Sequence, residues 1–159
     1  MMSLNNPNIQ ITDGSNLRFA IVASRYNEVL VNTLVQHTTA TLSEANIPKP
    51  AIERVPGAAE LPYAVGTLAD HTLFDAIIAI GVVIAGDTDH HLIIGNSTAW
   101  ALQKISIRQK VPVINGILVV NSIDQAEARV GEPINRGKEF ALAAIEMARF
   151  RKRWKTTNQ

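Results

Sequence analysis

Three long and nearly continuous apolar runs, separated by segments with helical spacing, constrain the fold of this chain more than any other feature. The runs are LRFAIVAS at 17–24, FDAIIAIGVVI at 74–84 and PVINGILVV at 112–120. Strands that are apolar on both faces are typical of parallel sheets covered by helices on both sides. A shorter run, AIERVP at 51–56, alternates in polarity and predicts a more exposed strand.

Helical periodicity fills the intervals between these runs. The spacing predicts five helices, at about 28–46, 59–70, 89–110, 122–130 and 135–154. Ser122 occupies the N-cap position of the fourth helix, and the third helix carries Ile93, Trp100 and Ile107 along an apolar side. Because strand and helix alternate throughout, we expect an α/β fold with a parallel sheet between two helical layers.

The chain has 159 residues and shows no linker, internal repeat or low-complexity segment. We therefore predict one domain over 1–159, with a polar N-terminal arm at 1–16 and a basic tail at 150–159. The formal net charge of +1 gives no reason to expect nucleic acid or a membrane surface as a partner. The absence of cysteine excludes disulfides, thiolate nucleophiles and cysteine-ligated metals.

Two features of the sequence indicate where the protein works. The polar start lacks the basic and then apolar pattern of a secretory signal. The longest apolar stretch, at 76–85, has about half the length that a bilayer requires. We expect a cytoplasmic protein. The basic tail, ARFRKRWKTTNQ, is interpreted as a helix end that offsets the helix dipole, with an anion-binding tail as the alternative.

The candidate site lies beyond the carboxyl ends of the predicted strands, where open parallel sheets bind their ligands. This rule selects four segments: SRYNE at 24–28, PGAAE at 56–60, AGDTDHH at 85–91 and VVNS at 119–122. In the third segment, Gly86, Asp87 and Thr88 follow a strand and precede a helix, where unpaired backbone N–H groups favour an anion. The alternative is that Asp87 or Thr88 only caps the helix.

Other residues of these segments also have two interpretations. His90 could transfer protons beside a bound anion or be an exposed histidine; its neighbour His91 would face another direction. Tyr26 and Asn27 suit a planar heterocycle, or form a surface turn with a helix cap. Glu60 could accept hydrogen bonds from hydroxyl groups or favour a helix N-terminus. No histidine or carboxylate spacing completes a metal site, so we expect none. We interpret His37 and His71 as structural.

The segments, taken in order, resemble the successive signatures of the lumazine synthase family. They are SRYNE, VPGAAELP, AIIAIGVVIAGDTDHH, VPVINGILVVNSIDQAEARVG and NRGKEFALAAIEM, and they cover residues 17–150. The resemblance implies a flavodoxin-like fold with a four-stranded parallel sheet, and a pentamer with active sites between neighbouring subunits. It implies condensation of 5-amino-6-ribitylamino-uracil with 3,4-dihydroxy-2-butanone 4-phosphate, giving 6,7-dimethyl-8-ribityllumazine, phosphate and water. No metal or organic cofactor is implied.

The resemblance assigns roles position by position. It places Tyr26 against the pyrimidine, with Asn27 beside it. The residues matching the ribityl-binding turn are Ala58, Ala59 and Glu60, and Val82 and Val83 lie at the uracil edge. The phosphate loop matches Gly86, Asp87 and Thr88, and His90 matches the proton-transferring histidine. Asn115 and Arg129 match residues that a neighbouring subunit contributes to the site. Arg136 stands nearby, at a position where the family has lysine.

The sequence departs from the family pattern at several positions. Ala85 stands where the family often has Arg or Lys, Leu92 replaces a frequent acidic residue, and Asn115 replaces an apolar one. His91 stands at a Phe or Tyr position, and the loop GEPINRG is about one residue shorter than the family's. A non-catalytic paralogue that binds a lumazine or flavin, or forms a shell, is therefore the alternative function.

The resemblance also bears on partners. It implies small-molecule substrates, self-association into pentamers or a larger icosahedral capsid, and riboflavin synthase as a candidate partner. We further expect the arm segment NIQIT at 8–12 to add a strand to a neighbouring subunit's sheet.

Overall fold

Four parallel strands form the central sheet: β1 at Phe19–Ser24, β2 at Ala51–Val55, β3 at Ala76–Ile84 and β4 at Val113–Val120. The computed structural model describes residues 7–71 and 73–157, and it places the strands in the order β2-β1-β3-β4. The predicted α/β fold with a four-stranded parallel sheet is confirmed. As the alternating pattern indicated, β2 is an exposed edge strand, whereas β1 is buried along its whole length.

Five α-helices connect and cover the strands: α1 at Glu28–Glu44, α2 at Leu61–Asp70, α3 at His90–Gln109, α4 at Ile123–Val130 and α5 at Arg136–Thr157. A 3₁₀ turn at Ala58–Glu60 precedes α2. The Ser122 side chain accepts a hydrogen bond from the Gln125 N–H, so its predicted capping role is confirmed.

The helices form two layers, one on each face of the sheet. The core of one face joins Phe19, Ile21 and Ile78 to buried residues of α1, α4 and α5. The core of the other face joins Val22 and Ile77 to buried residues of α2 and α3. An element of one layer is therefore separated from the other layer by the thickness of the sheet.

The sheet opens at the carboxyl end of β1. β1 pairs with β3 as far as Ala23 opposite Ile80, whereas β3 continues to Ile84 paired with β4 alone. The last residues of β3 therefore present backbone groups toward the space beyond β1. This is the switch point at which ligands bind in parallel α/β sheets.

The apolar side predicted for α3 does not pack on the sheet. Ile93, Trp100 and Ile107 are 62%, 67% and 68% exposed, while Thr98 and Leu102 are the buried residues of this helix. The three exposed side chains recur every seven residues and so form one stripe along the outer side of α3. Large apolar side chains grouped on a surface indicate an interaction site.

The basic tail is helical and most of its described cations are used structurally. α5 continues to Thr157, so only Lys155 lies in its last turn. Arg149 donates to the carbonyls of Thr12 and Asp13, Lys152 donates to that of Asn16, and Arg151 donates to that of Lys110. These bonds hold the segment before β1 and the end of α3, a role that the dipole interpretation missed.

The described part of the N-terminal arm, residues 7–16, contains no strand or helix of its own. Asp13 accepts hydrogen bonds from the side chains of Ser15 and Asn46, which hold the pKa of its carboxyl below the ordinary value.

In the described ranges, no helix is both long and apolar enough to cross a bilayer.

Candidate active site

Tyr26 and the turn after β2 meet at the carboxyl end of the sheet. The Arg25 and Tyr26 N–H groups donate to the Pro56 carbonyl, at 3.2 and 3.3 Å. A Cβ on Gly57 would lie 3.1 Å from the Tyr26 ring, so the ring rests on a glycine backbone. The ring is 73% exposed and leaves a large aromatic surface open for stacking.

Glu60 has a structural bond that leaves acceptor capacity. Its Oε2 accepts the Gly57 N–H at 2.8 Å, which holds the carboxylate against the start of the 3₁₀ turn. The bond uses one of two carboxylate oxygens, and the side chain is exposed. Ala58 is buried beneath this turn while Ala59 is exposed, so the turn presents backbone and carboxylate outward.

Asn27 connects the end of β1 to the open part of β3. Its backbone is left-handed at φ 56°, which asparagine tolerates, and its Nδ2 donates to the Val82 carbonyl at 2.8 Å. The amide side chain therefore occupies one lone pair of a carbonyl that the resemblance assigned to the uracil edge. Val83, the next residue of β3, is half-buried.

The loop after β3 is open and negatively charged. A Cβ on Gly86 would meet no atom within 4 Å, and Asp87 and Asp89 are exposed. Neither carboxylate takes part in an ion pair with another described residue. Residues 85–89 therefore contain two carboxylates and no lysine or arginine.

Thr88 lies just before α3, and the two histidines begin its first turn. The Thr88 hydroxyl accepts the His90 N–H at 3.4 Å, and its own proton stays available as a donor. The His91 Nδ1 lies 3.3 Å from the Thr88 carbonyl and the ring is half-buried, whereas His90 is exposed. The two histidines therefore differ in burial, and that they point in different directions stays a prediction.

We call the residues above the strand-end group: Tyr26, Asn27, Ala58, Ala59, Glu60, Val82, Val83, Gly86, Asp87, Thr88 and His90. The three remaining predicted site residues form a second, β4–α5 group. Asn115 lies on the edge strand β4, where its Oδ1 accepts the Ile117 N–H. Arg129 is half-buried on α4 and donates to the Gln125 carbonyl at 2.8 Å. Arg136 begins α5.

Parts of the two groups lie on opposite faces of the sheet. The turn at Ala58–Glu60 and the first residues of α3 belong to the α2–α3 side of the sheet. Arg129 and Arg136 belong to α4 and α5, which pack on the opposite face. Asn115 and Arg136 instead line a cavity of about 610 Å³ at the outer edge of β4.

Two residues near Arg136 were missed in the sequence. Glu139 pairs with the Arg136 guanidinium one helical turn away, and Asn135 accepts the Lys138 N–H with its Oδ1 at 3.0 Å. The spacing Asn-x-x-Lys at a helix start and the i, i+3 pairing of opposite charges are both recognisable signals. Among the described residues, no group of three or more His, Asp or Glu side chains is arranged to hold a metal ion.

Comparison with known proteins agrees with this geometry. Residues 16–152 match the family described as 6,7-dimethyl-8-ribityllumazine synthase. The chain is 39% identical to the 6,7-dimethyl-8-ribityllumazine synthase of Halorhodospira halophila over 147 residues, which cover 87% of this chain and 94% of the relative. The enzymes of that name from Xanthomonas oryzae pv. oryzae and Thermococcus kodakarensis are 42% and 32% identical, over 82% and 88% of this chain and 86% and 90% of their own lengths. The chain therefore belongs to the 6,7-dimethyl-8-ribityllumazine synthase family, transferases with lumazine synthase activity in riboflavin biosynthesis.

Proposed function

We propose that the protein condenses 5-amino-6-ribitylamino-uracil with 3,4-dihydroxy-2-butanone 4-phosphate in the cytoplasm, at sites formed between two copies of the chain. One copy supplies the strand-end group and its neighbour supplies the β4–α5 group. The observation that carries this proposal is the position of the turn at Ala58–Glu60 and the start of α3 on one face of the sheet, with α4 and α5 on the other. We infer that a second copy brings Arg129 to the loop at Gly86, because α4 packs on the face of the sheet opposite the start of α3.

Charge supports the same arrangement. A phosphate ester carries close to two negative charges at neutral pH. The loop that offers backbone donors also contains Asp87 and Asp89. Among the described residues, no lysine, arginine or histidine forms an ion pair with either carboxylate. Arg129 and Arg136 are guanidinium groups suited to phosphate, and a neighbouring copy brings them without any change in fold.

The strand-end group then orients the pyrimidine substrate. The exposed face of Tyr26 stacks on the uracil, the turn at Ala58–Glu60 accepts from the ribityl hydroxyls, and the end of β3 offers backbone groups to the ring edge. The amine of the uracil attacks the ketone, and water leaves as the imine forms. Phosphate then departs, and the second amine closes the ring with loss of a second water. His90 lies next to the phosphate loop and can transfer protons during these steps.

Self-association follows from such a shared site. The exposed stripe of Ile93, Trp100 and Ile107 on α3 supports contact between copies, because three large apolar side chains would otherwise stay in water. A head-to-tail interface that pairs the strand-end group with a β4–α5 group forms a ring when its rotation closes, and we propose the pentamer that the family resemblance implies. The icosahedral capsid, the added strand from residues 8–12 and the association with riboflavin synthase stay predictions.

A two-substrate assay tests the function. The protein is incubated with the diaminouracil and the butanone phosphate, and formation of the lumazine is followed together with release of phosphate in a one-to-one ratio. Tight binding of ribityl compounds without turnover would support the non-catalytic alternative instead. The departures at Ala85, Leu92 and Asn115 favour that alternative, whereas Thr88, His90 and Arg129 favour the enzyme.

Arg129 offers a direct test of phosphate binding. We expect Arg129→Met to raise KM for the butanone phosphate by about 10- to 100-fold, because a hydrogen bond from a charged donor contributes about 1.5–3 kcal/mol. The KM for the diaminouracil should change little, since the guanidinium is assigned to the phosphate alone. Steady-state kinetics with each substrate varied in turn gives both values.

Arg108, an exposed residue on the same chain, is the matched control. Arg108→Met removes an equal charge outside both site groups and should leave both KM values unchanged. An equal loss in the two arginine variants would reduce the Arg129 effect to long-range electrostatics and would contradict its assignment.

A further inference from the structure

Asn135 connects three elements of the fold at the start of α5. The residue is 6% exposed and its backbone is left-handed, with φ 47°. Its Oδ1 accepts the Lys138 N–H at 3.0 Å, and its Nδ2 lies 3.0 Å from His37 Nδ1 and 2.9 Å from Glu132 Oε1. One side chain thus ties α1, the loop before α5 and the first turn of α5 together.

The orientation of this amide follows from its partners. The Lys138 N–H is a donor, so the atom facing it must be the oxygen, and the nitrogen faces His37 and Glu132. His37 Nδ1 is then an acceptor and the ring proton is on Nε2. Both amide protons and the oxygen have partners, which gives the side chain a single favourable orientation.

Arg136, the next residue, depends on this arrangement. Its side chain is 11% exposed and is held at one end by Glu139. Its Nε is buried without a hydrogen-bond partner among the described residues, although the side chain lines the cavity of about 610 Å³ at the edge of β4. Because the Arg136 side chain is largely buried and paired with Glu139, the direction in which its guanidinium can meet a ligand depends on the position of the first turn of α5.

We propose that Asn135 is a positioning residue, which sets the direction of Arg136 toward the phosphate group of the butanone substrate. The inference rests on the proposed function, which assigns Arg136 to that phosphate. Asn135 itself is buried and has all its hydrogen bonds within the chain, so it acts through Arg136 and not by touching substrate. Displacing a charged group by about 1 Å is enough to weaken a catalytic arrangement considerably.

Asn135→Gly is the informative substitution. Glycine adopts the left-handed backbone without strain, and replacing an asparagine N-cap by glycine costs a helix little stability. We expect KM for the butanone phosphate and the inhibition constant of inorganic phosphate each to rise about 5-fold, a size typical of coupled neighbours. The KM for the diaminouracil and kcat should stay within about twofold of the parent values, by the same comparison.

Asn46→Gly is the matched control. Asn46 is also left-handed, at φ 57°, and its Nδ2 donates to a carboxylate, that of Asp13, at the opposite end of α1 from the strand ends. This variant should leave both KM values unchanged. If Asn135→Gly does not fold, Asn135→Asp replaces it, since aspartate keeps the capping oxygen and tolerates the backbone but lacks the Nδ2 donor.

A double-mutant cycle with Arg136→Gln decides the question. If Asn135 acts through Arg136, Asn135→Gly has no further effect on phosphate affinity once the guanidinium is gone. A fully additive effect, or an equal rise in KM for both substrates, would overturn the inference. Should Arg136→Gln alone leave phosphate affinity unchanged, Arg136 would lie outside the site and the role of Asn135 would fall with it. That result would contradict the proposed role of Arg136, and it can be told apart from a failure of the Asn135 inference because position 135 is unchanged in that variant.

Discussion

His90→Ala is expected to lower kcat by about 10²-fold and to leave clear activity. General acid–base assistance typically contributes roughly 10²–10⁴-fold, and water can replace an exposed imidazole at each proton transfer. Holding two reactants together reaches effective molarities of about 10⁵–10⁸ M in favourable cases. Because the larger factor is orientation, which the strand-end and β4–α5 groups provide, losing the imidazole should slow the enzyme without abolishing product formation.

The neighbouring histidine provides the control for this experiment. His91→Asn keeps a donor for the Thr88 carbonyl, which His91 Nδ1 approaches at 3.3 Å, and removes the second imidazole. We expect its kcat to stay within about threefold of the parent value, because its ring is half-buried against the Thr88 carbonyl, whereas the His90 ring is exposed. Complete loss of activity in a folded His90→Ala protein would refute the view that orientation dominates.

Gly137→Ala is expected to lower the free energy of unfolding by about 1–3 kcal/mol, the usual cost of overpacking a core. A Cβ at this position would lie 2.6 Å from the Leu34 carbonyl oxygen and 2.8 Å from His37 Cβ. Both atoms belong to residues of α1, so the steric overlap can be removed only if α1 moves away from α5. The shift would also strain the buried bond from the Thr38 hydroxyl to the Gly137 carbonyl.

A second helical glycine gives the opposite expectation. A Cβ on Gly66 in α2 would make an ordinary contact, 3.6 Å from Ile105 Cδ1. Gly66→Ala should therefore stabilise the protein by about 0.5–1 kcal/mol, since alanine suits a helix interior better than glycine. Urea unfolding of both variants at one protein concentration measures the difference. An unchanged or raised midpoint for Gly137→Ala would contradict the close α1–α5 packing.

Sheet and helix positions were predictable because burial leaves a local signal. β1 and β3 are covered on both faces, and their continuous apolar runs follow directly from that. The apolar stripe on α3 gave a misleading signal. Periodicity identifies the apolar side of a helix, but it does not show whether that side packs on the sheet. Ile93 and Trp100 are as apolar as buried residues, and only the fold shows that the sheet contacts Thr98 and Leu102 instead.

The site was predictable where short motifs correspond to strand ends. Most residues of the strand-end group lie at or shortly after the carboxyl ends of β1, β2 and β3, so the parallel topology places them at one edge of the sheet. Long-range hydrogen bonds leave no such signal. The bond from Asn27 to Val82 spans 55 positions and that from Asn135 to His37 spans 98, and nothing in either local sequence indicates its partner.

The most direct measurement of the shared site is complementation between two variants. One carries Thr88→Val with His90→Ala, and the other carries Arg129→Met with Arg136→Gln, so each destroys one group. The two are unfolded and refolded together in equal amounts, and lumazine formation is compared with that of each refolded alone. If each site takes its two groups from different copies, about a quarter of the sites in mixed rings regain both intact groups, and activity rises well above either parent. Activity no higher than the mean of the two parents, in rings shown to be mixed, would mean that one chain holds the whole site and would contradict the account.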